Sequence, residues 1–410
     1  MKTWEIVWVA VGIVLTTATQ LRRSSLPLGP GEVMLAIWIL FVGIEIALVR
    51  HHSIRPITRV FFWFWIASFI SLALGLLSAE SLGLTSLSVF HDTFAFAFVF
   101  SFSIVFLMRV SSNQDLTKTL AIYTSFAIVS LSILFIFPRL IPLFNTWYGG
   151  ARFTAWSKDP NQLALLLSTM PFFSLHFLRL SKNKYEKFGC FLLMIMSFIL
   201  GTATQSDSLR LWWILASLVT IFLMMYRWLS EHAIGFISPY KISIFKQILI
   251  LGFILALVLL GCIVYEKVYA VLSHVYSYGS QGSARLTLWG NAIAALSHSP
   301  IFGLGPGAHS GYTKPFLAVE AHNTFIDWTA SYGIVGLICY LSLLGWVGWK
   351  VWKNGSVALL AAFISLVGYS VFVYTLRHII FWFSLLTLAS LSTQILTQKA
   401  RENRERVFSD

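Results

Sequence analysis

Charge is scarce in this chain. Lys, Arg, Asp and Glu make up 11% of its 410 residues, against roughly 25% in soluble globular domains, which excludes a water-soluble fold of ordinary composition. Acids are scarcer than bases, 16 Asp and Glu against 29 Lys and Arg. Cysteine is nearly missing: Cys190, Cys262 and Cys339 all lie within or at the edge of apolar runs, and their number and spacing offer neither a disulfide framework nor a metal site. No HExxH, CxxC, P-loop or GxSxG motif occurs, and GLGPG at 303–307 lacks the strand-to-helix setting of a dinucleotide fingerprint. No cofactor and no metal site are expected. Fixed-period repeats and low-complexity tracts are absent as well, and no soluble basic domain exists to carry the net charge of +13 onto nucleic acid.

What is present is apolar, with 57% hydrophobic and 16% aromatic residues. A hydrocarbon core about 30 Å thick needs about 20 apolar residues per helix, and such runs recur along the whole chain. The reading is an all-α polytopic membrane protein, a single integral membrane domain over 1–410. Its twelve expected spans are 4–21, 32–49, 60–79, 89–108, 119–143, 161–178, 188–204, 209–229, 246–265, 328–349, 356–376 and 379–397. Lys2 precedes the first run as in a secretory signal, but Ala-Thr-Gln-Leu-Arg-Arg is a poor cleavage site, so that helix is expected to be retained. With the N terminus taken as cytoplasmic, nineteen of the 29 Lys and Arg fall on inside segments. The positive-inside trend then puts both termini in the cytoplasm, and the net positive charge suits anionic membrane lipids.

Most loops are short, but residues 266–327 form one long segment on the outer, periplasmic side. A loop of that length is usually functional or disordered, and its aromatic and apolar content argues against disorder. Within it ARLTLWGNAIAAL has helical apolar spacing and reads as an amphipathic helix at the membrane surface, and SPIFGLGPG follows as a helix stop and turn. Two more polar interruptions fall on the same side. FNTWYGGARFTAWSKDPNQLALLL at 144–167 contains a Gly149-Gly150 turn, an Asp159 cap and Pro160 at a first helical position. TATQSDSLRLWW at 202–213 breaks an otherwise continuous apolar passage, at a cost unless its groups line a cavity or meet a partner.

These interruptions place Arg152, Arg210, Arg285 and His322 on the side normally poor in cations. Something anionic is expected to hold them there. A diphosphate fits, because a guanidinium fork matches phosphate oxygens in paired hydrogen bonds and stays protonated; snorkelling to lipid headgroups is the plain alternative. His322 suits a general base near neutral pH or a simple polar contact at a helix start, with Asn323 and Asp327 placed to orient it. From the residues alone the reading stops at an outward-facing, cationic, partly hydrophobic site suited to a lipid phosphate.

The segments ARFTAWSKDPNQLA, SDSLRLWW, GSARLTLWGNAIAALSHSPIFGLGPGAHS and EAHNTFIDWTASYGIVGL, spanning 151–337 in that order, resemble the O-antigen ligase and O-antigen polymerase superfamily of bacterial envelope glycosyltransferases. The resemblance implies a C-type glycosyltransferase fold in the inner membrane with its active site facing the periplasm. It also implies an undecaprenyl-diphosphate-linked glycan donor and a glycan or lipid A-core acceptor. By residue, it gives Arg210 and Arg285 the diphosphate leaving group and His322 the acceptor hydroxyl, in an inverting, metal-independent transfer. Trp289, Asn323, Asp327, Arg152, Asn161 and Gln162 are expected substrate-binding residues. The sequence departs from the pattern at Ala284, where a glycine commonly precedes the arginine, and in an outer loop short for the family. Gly333 and Gly336 are expected to let their helix pack closely on a neighbour. Two other readings stand beside ligase or polymerase: a lipid-linked oligosaccharide flippase, which predicts ionisable residues or broken helices at midplane, and a non-catalytic lipid-binding scaffold.

Overall fold

A computed structural model describes residues 1–22, 28–48, 54–85, 88–110, 112–232, 245–259, 261, 281–307, 309–310 and 319–409. Cys262, the end of the 246–265 span and much of the 266–327 loop lie outside the described residues. The described residues are mostly helical, and each of the twelve expected spans coincides with a helix over its described part. They are α1 Thr3–Leu15, α2 Pro30–Leu48, α3 Pro56–Ser81, α4 Val89–Arg109, α5 Asn113–Ile136, the pair α6 Pro160–Leu167 and α7 Met170–Leu180, α8 Lys184–Ala203, α9 Asp207–His232, α10 Phe245–Leu259, α12 Thr324–Asn354, α13 Val357–Ser370 and α14 Ile379–Ser409. The amphipathic segment of the long loop is α11, Gln281–Leu296. Nine helices among the described residues, counting α6 and α7 as one, are long and apolar enough to cross a membrane; α1, α10 and α13 are shorter. This is an all-α polytopic membrane protein.

Helix ends follow local chemistry. The fifth span stops at Ile136, short of 143, because Pro138 has no amide hydrogen and biases Phe137 away from helical backbone. The sixth breaks at Ser168 and Thr169, one turn before the Pro171 ring would meet a helical carbonyl. The carbonyl of Ser168, freed there, instead accepts from Trp213 Nε1 at 2.9 Å and from Ser365 Oγ at 2.7 Å. Asp159 caps α6 by accepting from the Asn161 amide, with Pro160 next to it. The Gly149-Gly150 turn joins a two-residue antiparallel hairpin, β1 Trp147–Tyr148 and β2 Arg152–Phe153, with both glycines at positive φ.

The core is aromatic. Trp65, Trp328, Trp382 and Tyr332 are fully buried where α3, α12 and α14 meet, with Trp328 stacked on Tyr332 at 3.7 Å. α12 is not continuous: Gly333 sits at φ 66°, ψ −169°. Into this break fits the turn after α11. Leu304 and Gly305 amides donate to the Ala330 and Ser331 carbonyls, and the Ile334 and Val335 amides donate to Pro300 and Ile301. A Cβ on Gly333 would lie 2.1 Å from the Ile301 oxygen. Gly333 therefore admits a loop, where the sequence suggested packing of helix on helix. Non-helical backbone of this kind persists in a membrane protein only when protein groups satisfy it, as they do here.

Candidate active site

At one end of the bundle the first turns of α4, α6, α9, α12 and α14 meet the last turns of α3, α5 and α13. Gln20 ties the chain after α1 to the hairpin segment here, its Nε2 donating to the carbonyls of Asn145 and Ser157 at 2.8 Å. Glu5, Glu45 and Arg109 pair at the opposite end. The alternation of spans follows from these contacts without reference to charge.

Between the starts of α6, α11 and α12 and the α13–α14 turn lies a cavity of about 260 Å³, with Arg285, His322, Asn161 and Gln162 on its wall. The structure thus collects four residues expected from three separate sequence segments. His322 occupies the position before the α12 cap at φ 54°, a left-handed conformation that costs a non-glycine residue about 1–2 kcal/mol. Its neighbours hold it there. Asp327 accepts from the Ala321 amide at 2.7 Å and the Asn323 amide at 3.2 Å, one on either side of the histidine. Trp289 Nε1, on α11, donates to the Ala321 carbonyl at 2.9 Å. The Asn323 side chain caps α12, accepting from Phe325 and Ile326 at 3.0 and 3.1 Å. Trp289, Asn323 and Asp327 thus act on the backbone that presents His322. Burial lowers the pKa of His322, the Arg285 charge lowers it further and Asp159 opposes both. The ring is neutral at pH 7, as a base requires.

Arg152 Nε donates to the Thr204 carbonyl at 2.9 Å and its Nη2 to Asn161 Oδ1 at 3.2 Å, so it steadies a wall residue from behind. Gln162 Oε1 accepts from Thr19 and Ser157 hydroxyls at 3.2 and 3.1 Å. Arg210 does not line the cavity. It stands in the first turn of α9, 42% exposed, donating to the Thr202 carbonyl at 2.9 Å beside an Asp207 oxygen at 3.6 Å.

Among the wall residues not assigned to the site from sequence are the ionisable Glu320, Arg377 and His378. Arg377 pairs with Asp92 of α4 and with Glu320, and its guanidinium lies 4.6 Å from the Tyr374 ring centre. Asp92 reads in sequence as an isolated intramembrane acid, and Arg377-His378 as a two-residue connector. An Arg-His pair on the cation-poor side was the available signal. Burial and the charges of Arg377 and Arg22 push His378 down to about 3.

The O-antigen ligase family model matches residues 188–341, a segment holding Arg210, Arg285, Trp289, His322, Asn323 and Asp327 but not Arg152, Asn161, Gln162 or Arg377. No curated protein matches the chain. The match covers the last three of the four segments whose motifs carry the resemblance, and it supports the O-antigen ligase and O-antigen polymerase superfamily.

Proposed function

We propose that the protein transfers an undecaprenyl-diphosphate-linked glycan to a hydroxyl of a second glycan or of lipid A-core, at the periplasmic face of the bacterial inner membrane. The family match supports glycosyl transfer in polysaccharide assembly in general. The observation that carries the finer reading is the single cavity walled by both Arg285 and His322. In it a neutral imidazole and a fixed cation face the same space, the pairing an inverting displacement needs. The acceptor oxygen attacks the anomeric carbon while His322 takes its proton. The bond from that carbon to the diphosphate oxygen breaks on the opposite side, and Arg285 stabilises the negative charge that gathers there. Fixed guanidinium charge performs the task a divalent ion performs elsewhere. Arg210, half-exposed at the start of α9, would join the diphosphate by giving up its Thr202 carbonyl contact.

A second feature favours a lipid-borne donor over a soluble one. Two turns along α11 from Arg285, an apolar groove of about 270 Å³ runs between α11 and α12, lined by Ile293, Leu296, Phe325 and Ile326. A polyprenyl chain lying there leaves its headgroup at Arg285.

The test is reconstitution in liposomes with undecaprenyl diphosphate oligosaccharide, lipid A-core and chelator. Transfer to lipid A-core identifies a ligase and chain growth a polymerase. Lipid crossing the bilayer without a new glycosidic bond identifies a flippase and refutes the proposal, as do Arg285→Ala and His322→Ala proteins that both transfer at the unmutated rate.

A further inference from the structure

The charges on the cavity wall cancel. Arg285 and Arg377 face Asp159 and Glu320 among the described residues, and both wall histidines, His322 and His378, are neutral. A diphosphate diester adds two negative charges to this balanced set, and a wall cation that changes partner would meet them. Asp159 is engaged as the α6 cap, its Oδ1 2.8 Å from the Asn161 amide. Arg377 differs, because its two terminal nitrogens have unequal partners. Nη1 is held by Asp92, whose side chain is 3% exposed and whose other oxygen accepts from the Gly307 amide at 3.1 Å. Nη2 is held by Glu320, whose side chain is 27% exposed on the cavity wall. Breaking the inner pair would strand a buried carboxylate, whereas the outer pair is partly solvated and cheap to open. Asp92 and the Tyr374 ring together form a pivot, and only the Nη2 edge is placed to swing.

We propose that Arg377 is a diphosphate-binding residue that exchanges Glu320 for the donor's diphosphate, keeping Asp92 as its anchor and leaving the Glu320 carboxylate open to the cavity. This rests on the functional reading above. Before the donor arrives, Glu320 holds the guanidinium in place and screens it, so the site does not present two unpaired cations to free phosphate or headgroups. When diphosphate binds, Nη2 gains a more highly charged acceptor in place of a single carboxylate.

The experiment titrates undecaprenyl diphosphate onto the full-length protein in nanodiscs, with Arg377→Lys, Glu320→Gln and Arg285→Ala beside the unmutated chain. Arg377→Lys keeps a charge opposite Asp92 and loses the fork, and is expected to bind about tenfold to a hundredfold more weakly. Glu320→Gln removes the competing carboxylate and is expected to bind severalfold more tightly. A purely structural ion pair predicts the same sign for both variants, since each breaks the same contact, and two equal losses or two unchanged affinities overturn the exchange. Should Arg377→Lys fail to fold, the sign of Glu320→Gln decides alone: anything other than tightening overturns it. Loss of binding in Arg285→Ala while the other two bind like the unmutated chain sinks the exchange and leaves the functional reading standing. Unchanged binding in all three removes both.

Discussion

Replacing Asp327 by Ala tests whether the proposed base works because its backbone is held. In the native chain the carboxylate accepts from amides on both sides of His322, at 2.7 and 3.2 Å. Intramolecular hydrogen bonds are worth roughly 0.5–1.5 kcal/mol each, so two of them together match the about 1–2 kcal/mol cost of left-handed backbone at a non-glycine residue. Without them that cost returns, and the competent conformer falls to between about a fifth and a thirtieth of the population, since 1.4 kcal/mol is a factor of ten. The Trp289 bond to the Ala321 carbonyl remains and limits the loss. Transfer in liposomes should therefore drop about 5- to 30-fold in kcat, with donor KM unchanged because Arg285 is untouched. Asp327→Asn keeps one carbonyl oxygen and should fall between the two. The reasoning fails if Asp327→Ala turns over at the unmutated rate, or if donor affinity collapses along with kcat, which would make Asp327 a substrate contact.

Further outcomes are open to measurement. Burial, aided by Arg285 and opposed by Asp159, holds the His322 pKa below its ordinary value near 6.5. The neutral base therefore persists through pH 7, and kcat should fall only as pH drops below about 6.5. An acidic limb centred above that value, or one retained in His322→Gln, contradicts the assignment. Gly333→Ala puts a Cβ 2.1 Å from the Ile301 oxygen at φ 66° and should cost at least about 2–3 kcal/mol, read as a lower unfolding temperature in detergent; a loss under about 1 kcal/mol would refute the account of the break. Single cysteines at positions 210 and 285 should both react with a membrane-impermeant maleimide added from the periplasmic side. Reaction from opposite sides would separate the two arginines and end the shared-diphosphate reading.

The spans were legible because twenty apolar residues are a long signal, and the α6 entry because Asp159 and Pro160 state a cap within two residues. Gly149-Gly150 announced a turn, but strands of two residues are too short for any periodicity to show, so the hairpin was invisible. Arg285, His322, Asn161 and Gln162 were found through motifs and prove to share a wall. The Asp92–Arg377–Glu320 cluster was not found. Its members lie 285 and 57 residues apart along the chain, and no local pattern encodes a contact closed only by the packing of α4 against α14. Trp289, Asn323 and Asp327 were expected as substrate contacts, and the backbone hydrogen bonds they make around His322 were beyond sequence spacing, which does not say what a polar side chain turns toward.

The turn lodged in the Gly333 break has a consequence for biogenesis and for engineering. Four amides, those of Leu304, Gly305, Ile334 and Val335, find their acceptors only across that junction. When α12 leaves the translocon its two halves are mutually incomplete, and the loop made just before them is the missing splint. A chimera that imports a relative's loop without its matching helix, or the helix without the loop, would strand those groups in hydrocarbon at several kcal/mol apiece. The two segments are therefore one inheritable unit, to be transplanted together.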